Sequence, residues 1–277
     1  MVSPLLVKAA PIGREIVNVT PARAGWTHVG FRAVRLGQGE SEACNTQDRE
    51  LCLVVLTGTV TVTVDGLVYA DLGKRHSVFD DLAPAAIYIP AGKEANILAQ
   101  TNAELGLCTA PSDQAVRGVH VIDSAAMRRT TRGQGANTRY VCDILPHDDP
   151  IAAHLLVVEV MTPAGHSSSY PPHKHDLEEP PLETQLEETY YHRLNPPQGF
   201  AFQRVYTDDR SIDEACAVED HDVVMVPRGY HPVTAPYGYD LYYLNVMAGP
   251  HRFWVFRNDP AHEWMLSAAP LATLKGL

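Results

Sequence analysis

The sequence holds no apolar run approaching the ~20 residues that a membrane-spanning helix needs. That absence gives no support for a membrane protein. Cysteine is sparse: Cys44, Cys52, Cys108, Cys142 and Cys216 are odd in number and scattered, with no C-x-x-C. A disulfide framework or a cysteine-based zinc module is therefore not expected, and small buried thiols in a reducing, cytoplasmic setting are. Basic residues are outnumbered, 22 Lys and Arg against 33 Asp and Glu, for a formal net charge of −11. Such a surface repels a nucleic-acid backbone or an anionic membrane, and neither is expected as a partner. It leaves room for a small anionic substrate, which needs only a local Arg or Lys. The N-terminus lacks the basic region and long apolar stretch of a signal peptide. Long amphipathic helical patterns are absent as well.

What is present instead is period two. Thr59-Val-Thr-Val-Thr-Val64 alternates strictly and ends in Asp65-Gly66, a hairpin signal. Strand-like runs cover Val29 to Leu36, Glu50 to Gly58, Ala86 to Gly92 and Ile97 to Cys108, separated by Gly, Pro and Asp turns. Residues up to Trp26 read as a short extended arm, and Ser124 to Arg132 as a short helix or turn. The pattern then recurs in Leu155–Met161, Glu188–Arg193, Gly199–Tyr206, Asp222–Gly229 and Asp240–Met247. The expected fold is all-β, two copies of one small barrel, with the boundary near Pro111 to Gly118. We place residues 1–115 in the first barrel and 116–277 in the second.

Chemistry concentrates in the second copy. His173 and His175, in Tyr170-Pro-Pro-His-Lys-His-Asp176, stand two apart, so on a strand both imidazoles share a face. A metal ion held this way takes further ligands, often a carboxylate. His231, in Val226-Pro-Arg-Gly-Tyr-His-Pro232, sits on a tight turn that would aim it at the pair. Glu188 is the first choice of carboxylate, with Glu183 and Glu187 open as alternatives. Glu188, Tyr190 and His192 share one strand face; Glu187 then faces the other way. In the first copy Glu50 takes the place of Glu188, but no imidazoles accompany it, and that barrel is expected to be structural. A single H-x-H among 13 histidines would more often be a solvated pair than a ligand pair. The added Glu and the later His shift the balance toward metal.

Several strings resemble the 5-deoxy-glucuronate isomerase family, a bicupin group of the cupin superfamily: Ser168–Asp176, Leu186–Arg193, Gly199–Tyr206, Val226–Val233 and Tyr242–Pro250. Trp26 to Gly39 and Arg75 to Phe79 extend the likeness into the first half. The resemblance implies two tandem cupin-type barrels (jelly rolls) and a cytoplasmic aldose–ketose isomerase of myo-inositol catabolism. Its substrate would be 5-deoxy-D-glucuronate and its product 2-deoxy-5-keto-D-gluconate. It also implies one divalent metal ion on His173, His175, Glu188 and His231, where zinc, manganese, iron and nickel all suit the donor set. For acid–base work the candidates are Tyr190 and His192, each of which would serve equally as ordinary core. For the substrate carboxylate the candidate is Arg204, with Arg252 behind it, though either could pair with a surface Asp. Lys174 is expected in solvent, and Tyr242 and Tyr243 in packing. A metal-dependent dioxygenase and a non-catalytic sugar-binding bicupin are the competing functions, and a homo-oligomer is left open.

Overall fold

The computed structural model describes residues 3–112 and 118–267. The boundary set at 115/116 lies outside the described residues. The regular structure is almost all strand; among the described residues helix is confined to one turn at Pro21–Ala24, capped by Thr20, and two 3-10 turns at Gly135–Asn137 and Glu263–Leu266. No helix among the described residues is long and apolar enough to cross a membrane, and the five cysteines are free thiols.

Each half builds a large and a small antiparallel sheet. In the first half Glu15–Val19, Gly30–Leu36, Ala103–Pro111, Arg49–Thr57 and Ala85–Ile89 lie side by side in that order. The second half repeats it with Arg139–Leu145, Leu156–Thr162, Asp240–Ala248, Glu187–Asn195 and Val223–Val226. The small sheets also match: Ser41–Asn45, Glu94–Ala99, Val60–Val64 and Leu67–Leu72 against Ser167–Ser168, Val233–Thr234, Phe200–Tyr206 and Asp213–Glu219. Val60, Val62 and Val64 are buried as their alternation requires. Asp65 and Gly66 both take positive φ, the hairpin geometry that follows the right-handed strand twist.

The edges depart from the expected division. Leu6–Val7, from the N-terminal arm, pairs with Val223–Val224 of the second barrel, and His120–Ile122 pairs with Ala86–Tyr88 of the first. Each repeat thus gives its leading strand to the other repeat's sheet, which covers an edge that would otherwise expose unpaired backbone groups. A division at 115/116 separates each of these strands from the sheet it joins. Arg128–Arg132, read as helix or turn, is a strand paired with Arg139–Leu145. Its β-branched Thr130 and Thr131 fit a pleated surface, and the hairpin pairing overrides local helical tendency.

Alternation sorts the side chains into three cores. One fills the first barrel (Leu51, Leu53, Val55, Ile87, Ile97), and one lines the second (Val158, Val160, Tyr190, Tyr243). The third joins the large sheets back to back (Phe31, Cys52, Val54, Tyr191, Leu244, Val246). Buried carboxylates bridge the same interface. Glu50 accepts the N–H groups of Ala153, His154 and Leu155, each at 2.7 Å, and the Tyr88 hydroxyl at 2.8 Å. Glu187 accepts those of Thr27, His28 and Val29 at 2.8, 2.7 and 2.9 Å. The two are symmetry mates, so Glu50 corresponds to Glu187, and the residue in the place of Glu188 is the buried Leu51. The pairs Arg75–Glu159 and Arg193–Glu104 cross the same interface.

A carboxylate that accepts several N–H bonds cannot be replaced by an amide without turning a donor toward a donor. Glu50→Gln and Glu187→Gln should each cost about 2–3 kcal/mol, read from urea unfolding. For Glu187, burial opposes the charge, but hydrogen bonds from His28 and the Thr27, Val29 and His28 N–H groups outweigh it and hold its pKa below the ordinary value. Its contribution is therefore present above the unfolded pKa of about 4.3 and is lost as pH falls through the lower folded value. The stability gap between wild type and Glu187→Gln should be constant near neutrality and close at acid pH; a gap that widens on acidification would refute the assignment.

Candidate metal centre and substrate cavity

The short strand His173–Lys174 pairs with Arg257–Asn258 and carries the H-x-H segment across the open end of the second barrel. His175 follows it, and its Nδ1 is bonded to the Leu186 carbonyl at 3.1 Å. His231 comes from the turn after Val223–Val226, with Nδ1 on the Gly229 carbonyl at 2.9 Å. Both rings therefore donate through Nδ1 and leave Nε2 as the ligating atom, a fixed tautomer of the kind metal-binding histidines use. The two Nε2 atoms lie 3.1 and 3.2 Å from Glu188 Oε2. Asn245 Nδ2 holds the other Glu188 oxygen at 2.5 Å.

Ligand atoms of His175, Glu188 and His231 all fall within 4.8 Å of one another, the one such group found among the described residues. All three residues are buried. His173 stands beside them, its ring 4.9 Å from that of His231 and 6.4 Å from that of His175. Burial, joined by the nearby His175 ring, holds His173 down to about 3, and burial does the same for His231. Neutral imidazoles are what a metal binds. For His175, burial again opposes charge, but the Glu188 hydrogen bond and field raise it overall. The arrangement fits a divalent cation: a buried carboxylate faces two Nε2 atoms, and the His231 Nε2 has no hydrogen bond.

The turn that carries His231 is tied back to the H-x-H segment. Asp176 accepts the Gly229 N–H at 2.8 Å and the Lys174 ammonium at 2.6 Å. Gly229 has φ +94°, and a Cβ there would lie 2.5 Å from the Tyr206 carbonyl oxygen, so glycine is required. Lys174 does point away from the two histidines. It is buried rather than solvated, however, because Asp176, Glu183 and Asp208 surround it. Glu183 accepts the Asp176 and Leu177 N–H groups and so shapes the acidic segment instead of joining the ligands. Glu187 faces the other barrel. Of the three carboxylates left open by sequence, only Glu188 meets the imidazoles.

Beside the centre is a cavity of about 300 Å³, lined among others by His173, Glu188, Tyr190, Tyr243, Asn245 and Arg139. Tyr190 bonds to Ser169 at 3.2 Å, and Tyr243 to Ser168. Burial raises the pKa of both tyrosines, so each is a neutral phenol. Tyr243, expected only to pack, is thus a wall of the cavity, while Tyr242 packs between the barrels and bonds to Glu159. His192 shares the inward face as expected but lies one layer deeper, its ring 6.0 Å from that of Tyr190 and outside the cavity wall. Its two ring nitrogens have no hydrogen bond, and burial holds it at about 4.

The two arginines expected to hold a carboxylate do not reach the cavity. Arg204 alternates outward from buried Gln203 and pairs with Asp213 at 2.7 Å on the surface. Arg252 donates to the backbone carbonyls of Leu155, Pro146 and Asp149. Among the residues that do reach it, Arg139 and Asn245 were readable by alternation: Arg139 is two before inward Val141, and Asn245 two after Tyr243. Arg139 lies in no motif, and Asn245 lies in the family-like string Tyr242–Pro250 without being marked there as a site residue.

Comparison with known proteins gives the family. The KduI/IolB family model matches residues 5–265. A Geobacillus thermodenitrificans protein named 5-deoxy-glucuronate isomerase is 47% identical over 261 residues, 94% of either chain. The crystal structure of an IolB-like protein from Salmonella typhimurium superposes with a TM-score of 0.92 at 46% identity, covering 95% of this chain and 99% of that one. An oxalate decarboxylase from Lactobacillus farciminis, at 13% identity and TM-score 0.63 over 97% and 92%, shares the two-barrel cupin fold alone. This chain therefore belongs to the KduI/IolB family.

Proposed function

We propose that the chain is an aldose–ketose isomerase converting 5-deoxy-D-glucuronate to 2-deoxy-5-keto-D-gluconate in myo-inositol catabolism. One divalent metal ion would sit on His173, His175, Glu188 and His231. The observation that carries this reading is the buried His175–Glu188–His231 cluster beside a cavity of sugar-acid size, in a chain whose family relatives carry the isomerase name.

A bound divalent ion would act as a Lewis acid on the aldehyde and its neighbouring hydroxyl, favouring charge on the oxygens of an enediolate. The chain supplies the rest. Leu186 and Gly229 carbonyls fix the ligand rings, and Asn245 turns Glu188 Oε2 toward them. Isomerisation takes a proton from the hydroxyl-bearing carbon, returns one to the former aldehyde carbon, and moves one between the two oxygens. Tyr190 is the group assigned to the oxygens. Its phenol lines the cavity, stays protonated through burial and is oriented by Ser169, so it can give a proton to one oxygen and recover one from the other. His192, behind Tyr190, supports the ring and does not touch substrate.

Purified protein should carry ~1 equivalent of divalent metal, and His231→Ala or Glu188→Leu should reduce this to near zero by elemental analysis. The leucine copies Leu51 of the first barrel, so the fold should survive. Full metal content in either variant would remove the assignment.

Turnover of 5-deoxy-glucuronate in D2O should place deuterium on carbon in the product, since a proton held by an enzyme group exchanges with water before its return. A product free of deuterium, with a labelled substrate hydrogen carried across intact, would replace the enediol route by a hydride shift. Oxygen consumption in place of ketone formation would select a dioxygenase, and binding with neither would select a sugar-binding bicupin.

A further inference from the structure

An inward-facing pair of arginines at the cavity wall has no role in the proton transfers above. Arg132 and Arg139 sit directly opposite each other on neighbouring antiparallel strands, and both line the cavity. Like charges in that position repel, and the field of Arg132 opposes the charge of Arg139. Three other arginines have carboxylate partners: Arg75 has Glu159, Arg193 has Glu104 and Arg128 has Asp143. Among the described residues no carboxylate forms an ion pair with Arg139, whose Nη1 donates to the Asn137 carbonyl at 3.0 Å. Arg132 approaches Asp143 only at 3.9 Å and lies over the Trp254 ring. A partly buried guanidinium without a carboxylate partner, beside a second one and open to a cavity in an acidic protein, is a site for an anion.

The same cavity is lined by His173 and Glu188. Resting on the reading of the cavity as a sugar-acid site, we infer that Arg139, with Arg132 beside it, binds the substrate's carboxylate and thereby orients the aldehyde end toward the metal ligands. The residues thus act as a ruler: they select an aldose that bears an acid at its far end. Arg139 is the principal contact because it is the more enclosed of the two and lacks an acidic neighbour. Since the carboxylate is remote from the reacting carbons, its loss should appear chiefly in KM.

The test compares wild type, Arg139→Gln and Arg139→Lys on 5-deoxy-glucuronate and on 5-deoxy-glucose, in which the carboxylate is a neutral hydroxymethyl group. Arg139→Gln should lose on the order of 10- to 100-fold in kcat/KM on the acid, mostly through KM, as expected for a charged hydrogen bond. It should lose far less on the neutral sugar, and Arg139→Lys should recover part of the loss on the acid. Equal losses on both substrates would mark Arg139 as structural, and no loss on either would overturn the clamp. Calorimetric binding of D-gluconate against D-glucitol separates this inference from the isomerase reading. If neither sugar is turned over, a preference of wild type for gluconate that Arg139→Gln abolishes would still support the clamp. Absence of any such preference would overturn it.

Discussion

Two adjacent carboxylates on one strand, Glu187 and Glu188, must point to opposite faces, and both are buried. A buried carboxylate is tolerated only where donors or cations meet it. Glu187 finds three backbone N–H groups of the first barrel; Glu188 finds the His175 imidazole and the Asn245 amide. The strand Glu187–Asn195 is therefore at once the joint between the barrels and the floor of the site. A one-residue slip would exchange the two roles and destroy both.

The internal symmetry shows where the two repeats differ. Glu50 keeps the joint that Glu187 makes, with nearly the same three hydrogen bonds, while Leu51 stands where Glu188 would be. Around it the first barrel is filled with Leu, Val and Ile. An apolar filling needs no partners, so this barrel can serve as a rigid backing for the other. The reciprocal exchange of Leu6–Val7 and His120–Ile122 adds backbone pairing to that support. Glu188 consequently stands on a sheet braced from behind by a second sheet and by four buried carboxylate links.

The acidic segment between His175 and Glu188 turns out to be internal scaffolding. Lys174, turned away from the ligand face, is the cation about which Asp176 and Glu183 fold. Asp176 then holds the Gly229 turn that presents His231. A surplus of acid in the sequence suggests competing metal ligands. In three dimensions these acids are already used by Lys174 and by backbone N–H groups, which leaves the imidazoles to Glu188 alone.

The sequence by itself determined the strand periods, the doubled pattern, the hairpin at Asp65-Gly66 and the inward set Glu188, Tyr190 and His192. Period two is a local property, and local chemistry encodes it. His173, His175 and His231 were legible for the same reason, being carried on short motifs. Which acid meets them was not, because that depends on where Glu183 and Glu187 find hydrogen bonds some residues away. Nor was the fate of the arginines, since Arg204 and Arg139 look alike in a string. Only the side of the sheet each occupies, and whether an aspartate waits there, separates a surface ion pair from a charge left facing the cavity.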